Sequence, residues 1–209
     1  MQFVADVKVK ICGITTVRDA LASVEAGADA LGLVFYSKSR RYVECERAAE
    51  IVSAVGPFVT TVGLFVNETL ETVERLYRET GIHVVQLHGD EEADYCNQLT
   101  MPYIKAIRMA PGLDPLVAVR DFPGAAAFIF DAWQTDRYGG TGQCFDWGRL
   151  STPTDRISIL AGGLTPDNVG EAVAIAAPYA VDVSGGVEKS AGCKDKLLIN
   201  RFIKAARSG

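Results

Sequence analysis

A chain of 209 residues, 48% of them hydrophobic and 22% charged, has room for one sizeable core and the make-up of an ordinary globular protein. Its net charge is −5, and its basic residues are spread out apart from a small cluster at Lys38, Arg40 and Arg41, which speaks against a broad nucleic-acid surface. No stretch as long as a membrane span is free of charge, and the opening MQFVADVKVKICG lacks the basic segment and apolar run of a secretory signal.

Along the chain, short β-branched runs alternate with helical stretches. The pattern predicts strands near 7–12, 29–35, 59–66, 82–88, 102–107, 126–131, 157–161 and 179–184. Helices are predicted near 16–26, 45–54, 69–80, 91–98, 113–119, 167–176 and 194–206, with a short helical piece near 145–150 after a long sixth loop. Thr15 or Thr16 is the expected cap of the first helix and Gly27 its stop; Thr165-Pro166-Asp167 opens the seventh. Strands separated by helices imply a parallel sheet with right-handed crossovers. Two folds compete, a closed (β/α)8 TIM barrel and an open doubly wound sheet. Eight regular units favour the α/β barrel as a single domain over 1–209, and no GxGxxG follows the first strand.

Strand alternation then sorts the side chains. In VKVKIC, Val7, Val9 and Ile11 share one face; Lys8, Lys10 and Cys12 share the other. Gln86 and His88 share a face of the fourth strand, Asp182 and Ser184 a face of the eighth, and the sixth strand ends on Asp131. Barrel interiors are normally apolar, so inward polar groups at four strand ends point to a polar pocket at the C-terminal rim. Singly, each residue has a plainer reading. Cys12 would be a small buried hydrophobe, Asp131 a loop cap, Asp182 a structural acceptor, His88 a turn residue and Arg41 a solvated charge. Their convergence on one rim is what favours a site.

The seventh strand ends in LAGGL and the eighth in VSGGVE. Gly162, Gly163, Gly185 and Gly186 at these two strands suit a phosphate, because backbone N–H groups there approach an oxyanion closely. Asn168 and Asp167 are expected to serve the following helix start. Gly139, Gly140 and Gly142 lie in the sixth loop, which reads as a connector or as a lid over 132–143. The cysteines, Cys12, Cys45, Cys96, Cys144 and Cys193, form no CxxC pair and suit a reducing, cytoplasmic setting. His83 and His88 lie near no cysteine cluster, so no metal site is expected.

Several motifs together resemble the phosphoribosylanthranilate isomerase family of tryptophan biosynthesis. They run nearly end to end: KICGIT, GADALGLVFYSKSRRYV, VGLFVN, VQLHGD, FDAW, YGGTG, FDW, LAGGLTPDNV and VDVSGGVE. The resemblance implies a (β/α)8 barrel, no cofactor, a small phosphorylated substrate and a monomer or homodimer. It implies an Amadori rearrangement of N-(5-phosphoribosyl)anthranilate to 1-(2-carboxyphenylamino)-1-deoxyribulose 5-phosphate. Residue by residue, it makes Cys12 the general base and Asp131 the general acid. It assigns the anthranilate carboxylate to the SRRYV arginine, best matched by Arg41 with Arg40 one position away. The two Gly-Gly loops hold the phosphate, although Gly185 stands where many relatives carry a second serine. Gln86 and His88 match the family's QLHG and join Asp182 and Ser184 as expected substrate contacts. The related histidine-pathway isomerase is the nearest rival; its two aspartates contrast with Cys12. A non-catalytic phosphate-binding barrel would keep the glycine loops without needing Cys12 and Asp131.

Overall fold

A computed structural model of the chain describes residues 6–133, 144–150 and 156–209. The strands are β1 (Lys8–Cys12), β2 (Ala30–Val34), β3 (Thr60–Phe65), β4 (Val84–Leu87), β5 (Tyr103–Met109), β6 (Ala127–Ala132), β7 (Ser158–Leu160) and β8 (Ala180–Val183). Each pairs in parallel with the next, and β8 returns to β1 through Lys8↔Ala180 and Lys10↔Asp182, so the sheet closes into a barrel. That closure settles the choice left by the sequence. Eight strands of this length leave an interior just wide enough for side chains to fill.

Alternation divides the core in two. Val9, Ile11, Leu31, Leu33, Val85, Leu87, Phe128, Phe130, Val181 and Val183 face outward and pack with helix residues such as Ile51, Val73, Ile199 and Phe202. Val62, Ile104, Ala106, Ala127, Ile129, Ile159, Ala161 and Ala180 form a second, smaller cluster inside the barrel. The interior positions nearer the C-terminal rim on β1, β4, β6 and β8 are polar instead: Lys10, Gln86, Asp131 and Asp182, all buried. The barrel therefore has an apolar floor and a polar upper layer.

The helices are α1 (Val17–Glu25), α2 (Cys45–Val55), α3 (Leu70–Thr80), α4 (Ala93–Cys96), α5 (Pro115–Ala118), α6 (Val169–Ala176) and α7 (Lys196–Ala206). Thr16 caps α1 by accepting the Asp19 N–H, and Asp195 caps α7 by accepting from Leu197 and Leu198. The fourth, fifth and sixth helices are shorter than the sequence pattern suggested. The fourth is one turn, burying only Cys96. The fifth, opened by Asp114 and Pro115, tightens into a 3-10 turn at Val119–Asp121 before Pro123. The sixth begins at Val169 because Asn168 is held in the preceding loop, where its Oδ1 accepts the Thr165 N–H at 2.8 Å. After β6 the expected helical piece is a 3-10 turn, Trp147–Leu150. The lid reading and its glycines at 139, 140 and 142 lie outside the described residues. One element was not anticipated, an antiparallel hairpin of β9 (Glu188–Ser190) and β10 (Cys193–Lys194) directly after the eighth-strand glycines.

A buried ion pair outside the barrel fixes the loops that follow β3 and β4. Lys105, on the outer face of β5, donates to Glu91 at 2.8 Å and to the Gly89 carbonyl at 2.9 Å. Glu91 in turn accepts from the backbone N–H groups of Asn67 and Gly89. Taking one partner from such a pair leaves a charge uncompensated in the interior. Glu91→Leu is expected to cost about 3–5 kcal/mol in urea unfolding. Lys105→Met should cost markedly less, because Glu91 keeps its backbone donors. Equal costs for the two variants would show that those backbone contacts contribute little.

Candidate active site

Cys12 ends β1 and points into the rim, buried beside Lys10 on the same strand face. Room for the pair comes from Gly32 on the neighbouring strand. A β-carbon at that position would lie 2.7 Å from Cys12 Sγ and 3.1 Å from Lys10 Nζ, so no larger residue fits without displacing both. Lys10 Nζ donates to Asp182 Oδ1 at 2.8 Å across the β1–β8 seam. Burial alone would lower the proton affinity of Lys10, but Asp182 and then Cys12 outweigh it, and the ammonium is held above its ordinary value. Burial is also the largest influence on Cys12 and pushes the thiol up. Lys10 pulls against it, while Asp182 adds to the rise. Lys10 thus favours the thiolate, as its strand position suggested, but its charge is shared with Asp182 and does not overcome burial.

Asp131 is the penultimate residue of β6, three strands from β1 around the ring through β7 and β8. Its Oδ1 accepts the N–H of Ala132 at 2.9 Å, and its Oδ2 lies 3.0 Å from His88 Nε2. His88 Nδ1 is 2.8 Å from Gln86 Nε2. With the Gln86 amide donating to Nδ1, His88 carries its proton on Nε2 and donates it to Asp131. Turning that amide over would let Oε1 accept from Nδ1–H, leaving Nε2 to accept a proton from Asp131. The row accommodates either state without moving the imidazole. Gln86 is fully buried and turned toward His88. Gly162, with φ +84°, clears the other side of Asp131: a β-carbon there would stand 3.0 Å from Oδ1.

The two glycine turns sit side by side. Gly186 packs so closely on the Leu164 carbonyl that a β-carbon would collide with it. Gly163 also takes a positive φ, and its carbonyl accepts from Asn168 Nδ2 at 3.1 Å. Asn168 therefore ties the glycine turn to the start of α6, close to its expected duty. Asp167 instead pairs at the surface with Arg201. Gly185 is exposed and Ser184 half-buried.

Of the two adjacent arginines, Arg40 is exposed and Arg41 turns inward. Arg41 crosses Gly13, donating from Nε and Nη2 to the two oxygens of Glu188 at 2.8 and 2.7 Å. Lys194 donates to the same carboxylate at 2.7 Å and to the Ser184 carbonyl at 3.1 Å. Glu188 and Lys194 were missed in the sequence, as was Gly32. Among the described residues no cluster of His, Cys, Asp and Glu fits a metal ion, and no helix is long and apolar enough to cross a membrane.

Residues 9–205 match the family model described as N-(5'phosphoribosyl)anthranilate (PRA) isomerase. The chain belongs to this family. A relative from Neisseria meningitidis serogroup C, named N-(5'-phosphoribosyl)anthranilate isomerase, is 51% identical over 200 residues, covering 96% of each chain. The phosphoribosyl anthranilate isomerase of Thermotoga maritima superposes with a TM-score of 0.88 at 41% identity, covering 97% of this chain and 100% of that one. A further solved isomerase superposes with a TM-score of 0.83 at 39% identity, covering 97% and 100%. It was solved in complex with reduced 1-(o-carboxyphenylamino)-1-deoxyribulose 5-phosphate. The family's barrel is thus the barrel observed.

Because Asp182 acts to raise the Cys12 thiol, Asp182→Asn should lower it and speed alkylation of Cys12 by iodoacetamide near neutral pH. Peptide mapping by mass spectrometry reads the rate. An unchanged or slower reaction would mean that Asp182 does not control the thiol.

Proposed function

We propose that the chain catalyses the Amadori rearrangement of N-(5-phosphoribosyl)anthranilate to 1-(2-carboxyphenylamino)-1-deoxyribulose 5-phosphate, with Cys12 as general base and Asp131 as general acid. The observation that carries this reading is a buried thiol and a buried carboxylate on well-separated walls of one rim, each with its own polar partners. The complex of a relative with a reduced carboxyphenylamino-deoxyribulose phosphate supports the ligand class.

Asp131 gives a proton to the ring oxygen as the C1′–O bond breaks, leaving an iminium. The Cys12 thiolate takes the C2′ proton, and the electron pair moves into the iminium to give an enolamine. Ketonisation then removes the proton from the C2′ hydroxyl and adds one to C1′. Returning the first to Asp131 and supplying the second from Cys12 restores both groups and closes the proton balance. A thiol pushed up by burial makes a strong base once ionised, while its ionised fraction is small. His88 and Gln86 hold Asp131 in position for the transfer. The backbone around Gly162, Gly163, Gly185 and Gly186, with the Ser184 hydroxyl, receives the phosphate. Arg41 receives the anthranilate carboxylate, which its planar fork suits. Asp182 acts through Lys10 on the charge beside Cys12.

Cys12→Ser and Asp131→Asn should each lower kcat by about 100-fold or more while the protein stays folded. A fluorescence assay following loss of phosphoribosylanthranilate measures this, and near-wild-type turnover in either variant would remove the assigned role. The pH dependence has a definite sign. Since the Cys12 thiol is held above the ordinary range, alkylation of Cys12 by iodoacetamide in the free enzyme should speed up with pH through the neutral region and into the alkaline. A rate already level across that interval would show that burial does not hold the thiol in its protonated form.

A further inference from the structure

Arg41 is read above as the ligand of a substrate carboxylate, yet a carboxylate of the protein already grips it. A guanidinium has five N–H donors arranged along two bidentate edges. Glu188 takes the edge formed by Nε and Nη2, one oxygen to each nitrogen. The end-on edge, formed by Nη1 and the second hydrogen of Nη2, makes no hydrogen bond among the described residues. Glu188 is poorly suited to leave. Its side chain is 4% exposed, and it also accepts from Lys194 Nζ and, at 3.3 Å, from the Gly192 N–H. Burial would raise its proton affinity, but Arg41 and Lys194 outweigh that and keep it ionised. The hairpin makes this grip possible. β9 and β10 place Glu188 opposite Lys194, and the turn between them passes through Gly192 at φ +80°. Two buried or half-buried cations thus share one carboxylate, and the trio carries a net charge of about +1 where an anion would restore balance.

From this geometry we infer that Glu188 is the positioning residue of Arg41. By holding the side edge of the guanidinium, it aims the end-on edge at the ligand and makes the β9–β10 hairpin the element that selects for a ring carboxylate. The inference rests on the reading of Arg41 given above and adds the residue through which that reading operates. Glu188 itself need not touch substrate. The Arg41 side chain turns about four bonds, from Cα–Cβ to Cδ–Nε, to place its guanidinium, and ordering them in advance removes part of the entropy cost of binding.

The test compares two ligands by isothermal titration calorimetry. One is reduced 1-(o-carboxyphenylamino)-1-deoxyribulose 5-phosphate; the other is its phenylamino counterpart without the carboxylate. Glu188→Gln keeps the size of the side chain but loses its charge. It should weaken the carboxylated ligand about tenfold and leave the other within about twofold. In turnover it should raise KM with little change in kcat. Added to Arg41→Ala, it should produce no further loss of discrimination, because the residue acts only through Arg41. Lys38→Ala, at an exposed position, serves as the neutral control. If Glu188→Gln does not fold, Glu188→Asp carries the test: it keeps the charge but cannot span both nitrogens equally, and should lie between wild type and Arg41→Ala.

Equal weakening of both ligands would reduce Glu188 to a structural residue and overturn the inference. Tighter binding of the carboxylated ligand would make Glu188 a competitor for Arg41 and overturn it too. If Arg41→Ala discriminates between the ligands and neither Glu188 variant does, the inference fails while the reading of Arg41 stands. If Arg41→Ala itself fails to discriminate, both fall.

Discussion

The seam between β1 and β8 is where this barrel closes, and a buried ion pair sits on it. Lys10 and Asp182 face each other in register, with their charged ends 2.8 Å apart inside the sheet. A buried pair of this kind does little for net stability compared with apolar packing. Its value lies in where it stands. It lies directly below Cys12 on the same strand face, so the contact that joins first strand to last also sets the charge beside the thiol. Fold and chemistry meet in that one contact.

The same economy recurs around the rim. Polar groups taken from water need partners, and here the partners are other residues of the site. Asp131 is met by His88, and His88 by Gln86; Arg41 is met by Glu188, and Glu188 by Lys194. Outside the barrel, Lys105 and Glu91 tie down the loops after β3 and β4, the second of which begins at His88. Asp131 and Arg41 are thereby oriented through short chains of hydrogen bonds anchored in strands, which hold geometry better than loops do.

The sequence pattern was informative where a strict period governs. Strands alternate with period two, so placing β1 near 7–12 immediately put Lys10 and Cys12 on the inner face; the fourth and eighth strands yielded Gln86, His88, Asp182 and Ser184 in the same way. Helix lengths were less legible. The pattern over 91–98 promised two turns, but only Ala93–Cys96 is helical, and α5 gives way to a 3-10 turn. What stayed hidden obeys no period. Glu188 and Lys194 meet only because the chain reverses at Gly192, and Arg41 reaches them from a loop 147 residues away. Lys105 sits on an outward face where an apolar residue would be expected, and only the third dimension supplies Glu91. The contacts of Gln86 and His88 with each other and with Asp131 were hidden for the same reason: alternation gives the face of a side chain but not its neighbour.

Gly32 carries no functional group, yet it decides what the pocket can contain. The volume beside the thiol and the Lys10 ammonium is the volume of a missing methyl group. A saturation scan would therefore score this position like a chemical one: even alanine would crowd Sγ and Nζ, while the outward half of β2, packed through Leu31 and Leu33, would still hold the barrel together. Essentiality at that site would measure emptiness rather than reactivity.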